Sequence, residues 1–157
     1  MKSRIINVLT VLAVSLALWP QATKALADIT SIDHKMTVQL DPVKRTLDVS
    51  DHMRIEGQGE VNFHLASNLI ITGLKINGQT AIQSRHGDTV RLNLGAGGTH
   101  QVSLQYKGSL SRLPENPQAM TTPPMIASPK GSYLAAGSAW HPIVPGIGAS
   151  YQLTLIL

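Results

Sequence analysis

The stretch IDHKMTVQLDPVKRTLDVSDHMRIEG, residues 32–57, determines the fold class of this chain. Apolar side chains alternate with polar ones on both sides of a short turn over residues 41–45, with Pro42 at its second position. The alternating apolar residues are Met36, Val38, Leu40, Leu47, Val49, Met53 and Ile55. Asp51 is the exception to the alternation. A period of two predicts strands with one face buried and one face in water, paired here in an antiparallel sheet.

The same alternation recurs along most of the chain. It is found at Val61, Phe63 and Leu65, at Val90, Leu92 and Leu94, and at Val102, Leu104 and Tyr106. Turn signals separate the segments at residues 56–59, 77–78, 86–88 and 95–98, and Asn77-Gly78 is the strongest hairpin signal. No segment after residue 27 shows a sustained helical period. The sequence therefore predicts an all-β domain over residues 28–157, an antiparallel β-sandwich of about seven or more strands.

A proline-rich stretch interrupts the strand pattern at residues 108–130. It has few regular apolar positions, and strand-like sequence resumes at Ser132-Tyr133-Leu134 and again at Tyr151. We interpret it as a long loop that crosses the surface of the domain, because long irregular loops tend to be functional. The alternative is a linker between two domains.

Residues 1–27 have the features of a secretory signal peptide with a helical apolar segment. Lys2 and Arg4 precede the apolar run at residues 5–18, and Ala25 and Ala27 predict cleavage before Asp28. The alternative is an uncleaved membrane anchor, but a spanning helix needs roughly 20 apolar residues. We therefore expect a periplasmic or secreted protein with no stable membrane span after cleavage.

The charge and the amino-acid composition exclude several classes of partner and of stabilising cross-link. Cleavage would remove three basic residues and no acidic ones, so the net charge falls from +4 to +1 and nucleic acid is not an expected partner. The chain has no cysteine, which excludes disulfides, thiolate metal ligands and a lipid-anchored N-terminal cysteine. The domain must be stable through its hydrophobic core alone.

No arrangement of titratable residues predicts a catalytic or metal site. The six histidines lack the close spacing of a zinc motif, and we expect each to lie on the surface, with His52 and His64 facing solvent by strand parity. The same expectation applies to Asp48 and Asp51 as solvated charges. Ser138 lies three residues before His141, but a Gly-x-Ser-x-Gly turn is absent, so a hydrolase is the weakest hypothesis.

The loop around Trp140 is the most distinctive feature of the sequence. Trp140 and His141 lie in a segment rich in Gly, Ser and Pro, and Tyr133 precedes it. These three residues are the candidate ligand-binding or domain-packing residues. A tryptophan in such a loop is either a plug that packs on the core or a platform for a ligand.

Three stretches resemble one protein family. They are residues 32–57, then VNFHLASNLIITGLKINGQ at 61–79, and GSYLAAGSAWHPIVPGIGASYQLTL at 131–155. Their order is similar to that of the N-terminal β-domain of the M1-like metallopeptidases, the gluzincin aminopeptidases. Typical members carry a Phe-Pro-Cys-x-Asp type of sequence where this chain has Gly-Ser-Ala-Trp-His-Pro, which suits a divergent bacterial branch better.

The resemblance implies a role without catalysis for this chain. The family binds zinc through a His-Glu-x-x-His helix and a downstream Glu, and binds the substrate's amino terminus through Gly-x-Met-Glu-Asn. Neither motif occurs here, so we expect no catalytic residue, no metal ligand and no cofactor in this chain. The resemblance implies a domain that packs on a catalytic domain and helps wall its cleft, and we expect the chain to be truncated before that domain. The alternative is a free-standing periplasmic module that binds a peptide, glycan or protein partner.

Overall fold

The computed structural model describes residues 28–112 and 125–157. The predicted signal peptide, with Ala25 and Ala27, lies outside these residues, as does much of the proline-rich stretch. The described chain forms eleven strands and one 3₁₀ turn, Ala136–Ser138. The strands are β1 (Asp28–Asp41), β2 (Thr46–Gln58), β3 (Glu60–His64), β4 (Leu69–Ile76), β5 (Gln79–Thr80), β6 (Ser84–His86), β7 (Thr89–Asn93), β8 (Gly98–Ser109), β9 (Met125–Ser128), β10 (Gly131–Leu134) and β11 (Ala149–Ile156).

The strands form three sheets. The largest has the order β11-β1-β2-β8-β4-β5, the second β3-β7-β6, and the third is the hairpin of β9 and β10. The all-β class and the antiparallel pairing are confirmed, with one exception. β11 runs parallel to β1, with Ile32 opposite Ala149 and Val38 opposite Leu155. β1 and β11 are separated in sequence by all the other strands, so no tight turn has to join these two parallel neighbours.

The turn at residues 41–45 fixes the register of the β1–β2 hairpin. Oδ1 of Asp41 accepts hydrogen bonds from the backbone N–H groups of Val43 and Lys44, at 3.0 and 2.9 Å. Arg45 adopts a positive φ of 56° to complete the turn. As a result Leu40 pairs with Leu47, and the apolar side chains of both strands lie on one face.

The hairpin predicted at Asn77-Gly78 is present but short. Both residues have positive φ, 52° and 82°, as a type I′ turn requires. β5 has only two residues, and the chain then joins the smaller sheet at Ser84. The second strand of this hairpin is short because the chain changes sheets between Thr80 and Ser84.

One hydrophobic cluster joins the six-stranded and three-stranded sheets. Val49, Leu104 and Tyr106 from the larger sheet and Phe63 and Val90 from the smaller one are buried in it. Burying each such side chain contributes about 1.5–3 kcal/mol relative to leaving it exposed. The two sheets thus bury the faces that the sequence alternation predicted.

Part of the proline-rich stretch is ordered as strand. β9 lies within residues 108–130 and forms a hairpin with β10. Ser111 joins this hairpin to the end of β8, since its N–H donates to Met125 O at 2.9 Å and its carbonyl accepts from Ala127 N at 3.1 Å. The interpretation of residues 108–130 as one long loop is therefore wrong for residues 125–128, and also for residues 108 and 109, which belong to β8.

Candidate functional site

A buried histidine–aspartate pair lies on the inner face of the large sheet. His34 Nδ1 donates to Asp51 Oδ2 at 2.8 Å, and the two residues are 4% and 0% exposed. In the β1–β2 register His34 lies opposite Met53 and Asp51 lies opposite Met36, which makes the pair diagonal neighbours on one face. The expectation that both are surface residues is wrong, because both occupy the inward positions of their strands.

Two aromatic rings pack against His34, and a third extends the cluster. Tyr151 of β11 stacks on His34 at 4.9 Å between ring centroids, with 12° between the planes. His141 meets His34 and Tyr151 edge to face, at 6.1 and 5.2 Å. Trp140 in turn meets His141 edge to face at 4.8 Å. We call Trp140, His141, His34 and Tyr151 the aromatic cluster; it brings together two of the three candidate residues from the sequence.

Burial and the Asp51 carboxylate shape the electrostatics of the site. Burial lowers the pKa of His141, and the neighbouring His34 lowers it further, while its hydrogen bond to Pro142 O and the Asp51 carboxylate act in the opposite direction. Burial raises the pKa of Tyr151 and of Tyr106, and Asp51 adds to both. Within the described residues, Asp51 Oδ1 and the Tyr106 hydroxyl are buried without a hydrogen-bond partner.

The backbone holds the Trp140 loop against β3. Ala66 N donates to Ala139 O at 2.8 Å, and His64 and Ile143 exchange two hydrogen bonds of 2.8 and 3.0 Å. Trp140 is half-buried and packs on the hydrophobic core with one part of its surface. Its remaining surface lines a groove. Trp140 therefore packs on the core, as a plug would, and also faces a groove, as a ligand platform would.

The groove has a volume of about 790 Å³ and is mostly apolar. Its floor is the inner face of β1 and β11, and its walls are the β9–β10 hairpin, the β1–β2 turn and Trp140. The apolar lining residues are Val38, Leu40, Val43, Leu134, Trp140, Leu153, Leu155 and Leu157. Leu153 and Leu155 are 52% and 51% exposed although they continue the buried face of β1.

Basic side chains surround one end of the groove. Lys130 lines the groove itself, and Arg45 and Arg112 line an adjoining depression that shares Pro42, Val43 and Ser128 with it. Lys44 forms an ion pair with Asp41 at 3.1 Å at the same turn. This end of the groove therefore favours a negatively charged group.

The structure separates the other candidate residues from this site. Tyr133 is 61% exposed and is not part of the groove lining. The Ser138 hydroxyl donates to Ala135 O at 2.7 Å, and His141 Nδ1 donates to Pro142 O at 3.0 Å. The hydrogen bonds of the two side chains thus run to backbone carbonyls, and nothing in this geometry supports a serine nucleophile.

The remaining histidines divide between surface and core. His52 and His64 are exposed, which confirms the prediction from strand parity. His100 is buried, contrary to the prediction, because its Nε2 contacts Ala96 O at 3.1 Å and Gly57 O at 3.3 Å where the 95–98 turn meets β2. In the part of the chain that the structure describes, no three His, Asp or Glu side chains could hold a metal ion.

The N-terminal region of the structure begins in strand. Asp28, the first residue after the predicted cleavage site, lies in β1. Over residues 28–112 and 125–157, no helix is long and apolar enough to cross a membrane.

The fold is one found in M1 zinc metallopeptidases. The M1 zinc metallopeptidase from Deinococcus radiodurans matches 82% of this chain with a TM-score of 0.60 at 16% identity, over 32% of its own length. Its E323A mutant bound to Tyr-Ser-Ala gives the same TM-score and coverage. Yeast LTA4 hydrolase in complex with bestatin matches 82% of this chain and 23% of its own, with a TM-score of 0.57 at 11% identity.

These matches confirm the resemblance at the level of the fold. The chain spans about a third or less of the length of these solved structures. No family model matches the chain, and no curated protein matches it in sequence.

Proposed function

We propose that this chain is the non-catalytic N-terminal β-domain of an exported M1-like zinc peptidase, and that it packs against a catalytic domain. That domain belongs either to the same polypeptide or to a separate chain. The observation that carries the proposal is the apolar groove at β11, in a fold that makes up about a third of the matched metallopeptidase.

The exposed inner face of β11 supports a packing role. Tyr151, Leu153 and Leu155 point to the same side as the buried face of β1, yet each is about half exposed. Apolar surface of this kind on one face, next to a groove, is typical of an interaction site. A catalytic domain that covered this face would complete the hydrophobic core that β1 and β2 begin.

In this proposal the catalytic domain binds the zinc ion and cleaves the peptide substrate. The chain lacks the His-Glu-x-x-His motif, and its described residues do not fit a zinc site, so we assign zinc to no residue of this chain. The Trp140 loop is positioned at the groove, where it would form part of the wall between the two domains. The features of residues 1–27 support export to the periplasm or beyond.

Intact-mass analysis of the protein from its native source tests this function. We expect residues 28–157 within a larger product or a stable complex that contains a His-Glu-x-x-His sequence and stoichiometric zinc. A lone product of 130 residues that binds no such chain would overturn the proposal. The measured mass would also show where the signal peptide is removed.

A free-standing binding module is the second candidate, favoured by the exposed part of Trp140 in the groove. In that case Trp140→Ala abolishes ligand binding and leaves the fold intact. If Trp140→Ala unfolds the domain instead, its main role is packing and this candidate loses its principal support.

A further inference from the structure

β11 is the outermost strand of the large sheet and pairs with β1 alone among the described strands. It is eight residues long, whereas β5 at the opposite edge has two and the edge strands β3 and β6 of the smaller sheet have five and three. About half of the N–H and C=O groups of an edge strand point away from the sheet. β11 is therefore the longest unpaired edge in the described part of the chain.

The sequence of β11 has none of the features that usually protect an edge. Residues 149–157 contain no Asp, Glu, Lys, Arg or Pro. Natural edge strands are commonly shortened, charged or broken by proline, because an uncharged long edge pairs with other chains. A long edge strand without charges or proline therefore favours a second strand that covers it in the functional protein.

The side chains of β11 are about half exposed on the face that β1 buries. Val38 of β1 is 1% exposed, whereas its parallel partner Leu155 is 51% exposed. Val38 belongs to the core cluster, whereas Leu155 lies in the open groove, and among the described strands β11 has a neighbour only on its β1 side. A strand added beyond β11 would cover Leu155, Leu153 and Tyr151 with its own inward side chains.

The chemistry of the groove restricts the added segment. The floor accepts apolar side chains at every second position, which is the spacing of a strand with one buried face. Lys130 at the groove, with Arg45 and Arg112 beside it, favours an acidic residue at that end. An acyl chain could fill the apolar space, but it could not satisfy the backbone groups of the β11 edge.

We propose that the outer edge of β11 accepts an extended segment of the partner polypeptide by strand addition, with alternating apolar side chains in the groove and an acidic residue beside Lys130. The identity of the donor as the catalytic-domain polypeptide rests on the function proposed above. Backbone hydrogen bonds to the edge supply affinity, and the alternate pockets supply specificity.

Synthetic peptides test the site with the purified chain. The probe is a nine-residue peptide of alternating Val and Thr with one terminal Glu, prepared with the Glu at either end. The first control replaces Glu with Lys, and the second carries N-methyl groups on alternate residues, which removes the N–H donors of one edge. Trp140 fluorescence reports binding, since the only other tryptophan, Trp19, lies in the predicted signal peptide. Amide hydrogen exchange of residues 149–156 reports strand pairing.

We expect one Glu peptide to bind, to slow exchange in β11, and to lose affinity by about tenfold or more when N-methylated. Leu155→Lys should weaken binding by a similar factor, while Thr154→Lys on the opposite face should weaken it less. Equal binding of the N-methylated peptide, preferential binding of palmitate, or the absence of peptide binding would each overturn strand addition. Dimerisation of the chain that Leu155→Lys abolishes would show that the edge pairs with a second copy instead.

The outcomes for the two proposals are independent. Peptide binding with a native product that lacks a zinc peptidase sequence leaves the strand-accepting edge in place and removes the proposed function. A zinc peptidase sequence in the native product, with no strand pairing at β11, supports the proposed function and overturns strand addition.

Discussion

The imidazole of His34 and the carboxylate of Asp51 meet at 2.8 Å inside the hydrophobic core, on adjacent strands β1 and β2. Tyr151 stacks on His34 and links the pair to β11. A buried polar pair of this kind costs desolvation energy, and removing one partner leaves the other without its hydrogen bond. The pair therefore makes the junction of β1, β2 and β11 sensitive to single substitutions.

Removing the carboxylate should destabilise the domain strongly. Asp51→Ala leaves the His34 N–H without its acceptor in a dry environment, and we expect a loss of about 3 kcal/mol in the free energy of unfolding. Asp51→Asn keeps an acceptor oxygen and should cost less, about 1 kcal/mol. Urea unfolding followed by circular dichroism measures both free energies. The control is His52→Ala at an exposed position, whose free energy of unfolding should stay within about 0.5 kcal/mol of that of the unmodified chain. Equal values for the two Asp51 variants would contradict a role for the hydrogen bond.

His141 should make stability depend on pH. Its pKa in the folded protein is lowered by burial, so the unfolded state binds the proton more tightly. Its contribution is complete above the ordinary histidine pKa of 6.5 and is lost as the pH falls through the lowered value. The groups that face it are His34 and Asp51 on β1 and β2, Tyr151 on β11 and its neighbour Trp140.

The measurement compares unfolding curves of His141→Gln and the unmodified chain between pH 5 and about pH 8. The variant should lose less stability on acidification below about pH 6.5. His64→Gln, at an exposed position, should follow the unmodified chain. Parallel curves for all three proteins would assign the acid sensitivity to other groups.

Truncating Trp140 should weaken the fold without abolishing it. The side chain is half-buried on the core, so Trp140→Ala should cost about 2 kcal/mol, less than a fully buried tryptophan. Trp140→Phe keeps much of the packing and should cost about 1 kcal/mol or less. Circular dichroism during urea unfolding reports the difference. An unchanged midpoint for Trp140→Ala would show that the ring contributes only to the groove.

Arg85, which is partly buried, should stabilise the domain through its hydrogen bonds to backbone carbonyls. Its guanidinium donates to the carbonyls of Leu65, Ala66 and Leu69, at 2.8, 2.6 and 2.5 Å, and to Gly87 O at 2.9 Å. Arg85→Lys cannot reproduce this planar arrangement, and we expect a loss of about 2 kcal/mol in unfolding free energy. Arg54→Ala is the matched control, because Arg54 forms only an exposed ion pair with Glu56 and should cost about 0.5 kcal/mol. Similar costs for both variants would refute the distinction.

Strand identity was predictable because the two-residue period reports which face of a sheet is buried. Met36, Val38 and Leu40 had to share a face, and the structure places them so. The direction of β11 was not predictable, since its apolar run fits either a parallel or an antiparallel neighbour. Its parallel pairing depends on β1 being the available edge, which is a property of the whole fold.

The sequence contains a signal for the His34–Asp51 pair, but both residues are polar and were therefore expected on the surface. Asp51 lies at an inward position between Val49 and Met53, and His34 lies at one between Ile32 and Met36. A polar residue at a buried parity position predicts a buried partner, and two such residues on adjacent strands predict each other. Composition alone favours the surface for both, which is why the pairing was missed.

β1 also determines the order in which the sheet can be completed. Its two neighbours are β2, which follows directly, and β11, which is synthesised more than 100 residues later, so that Asp33 pairs with Ser150. The β1–β2 hairpin can form early, but the other edge of β1 has no partner among the described strands until β11 emerges. The nascent chain therefore exposes the edge of β1 over residues 32–39 while the residues before β11 are synthesised. During that interval the open edge is a place at which the nascent chain can pair with other chains.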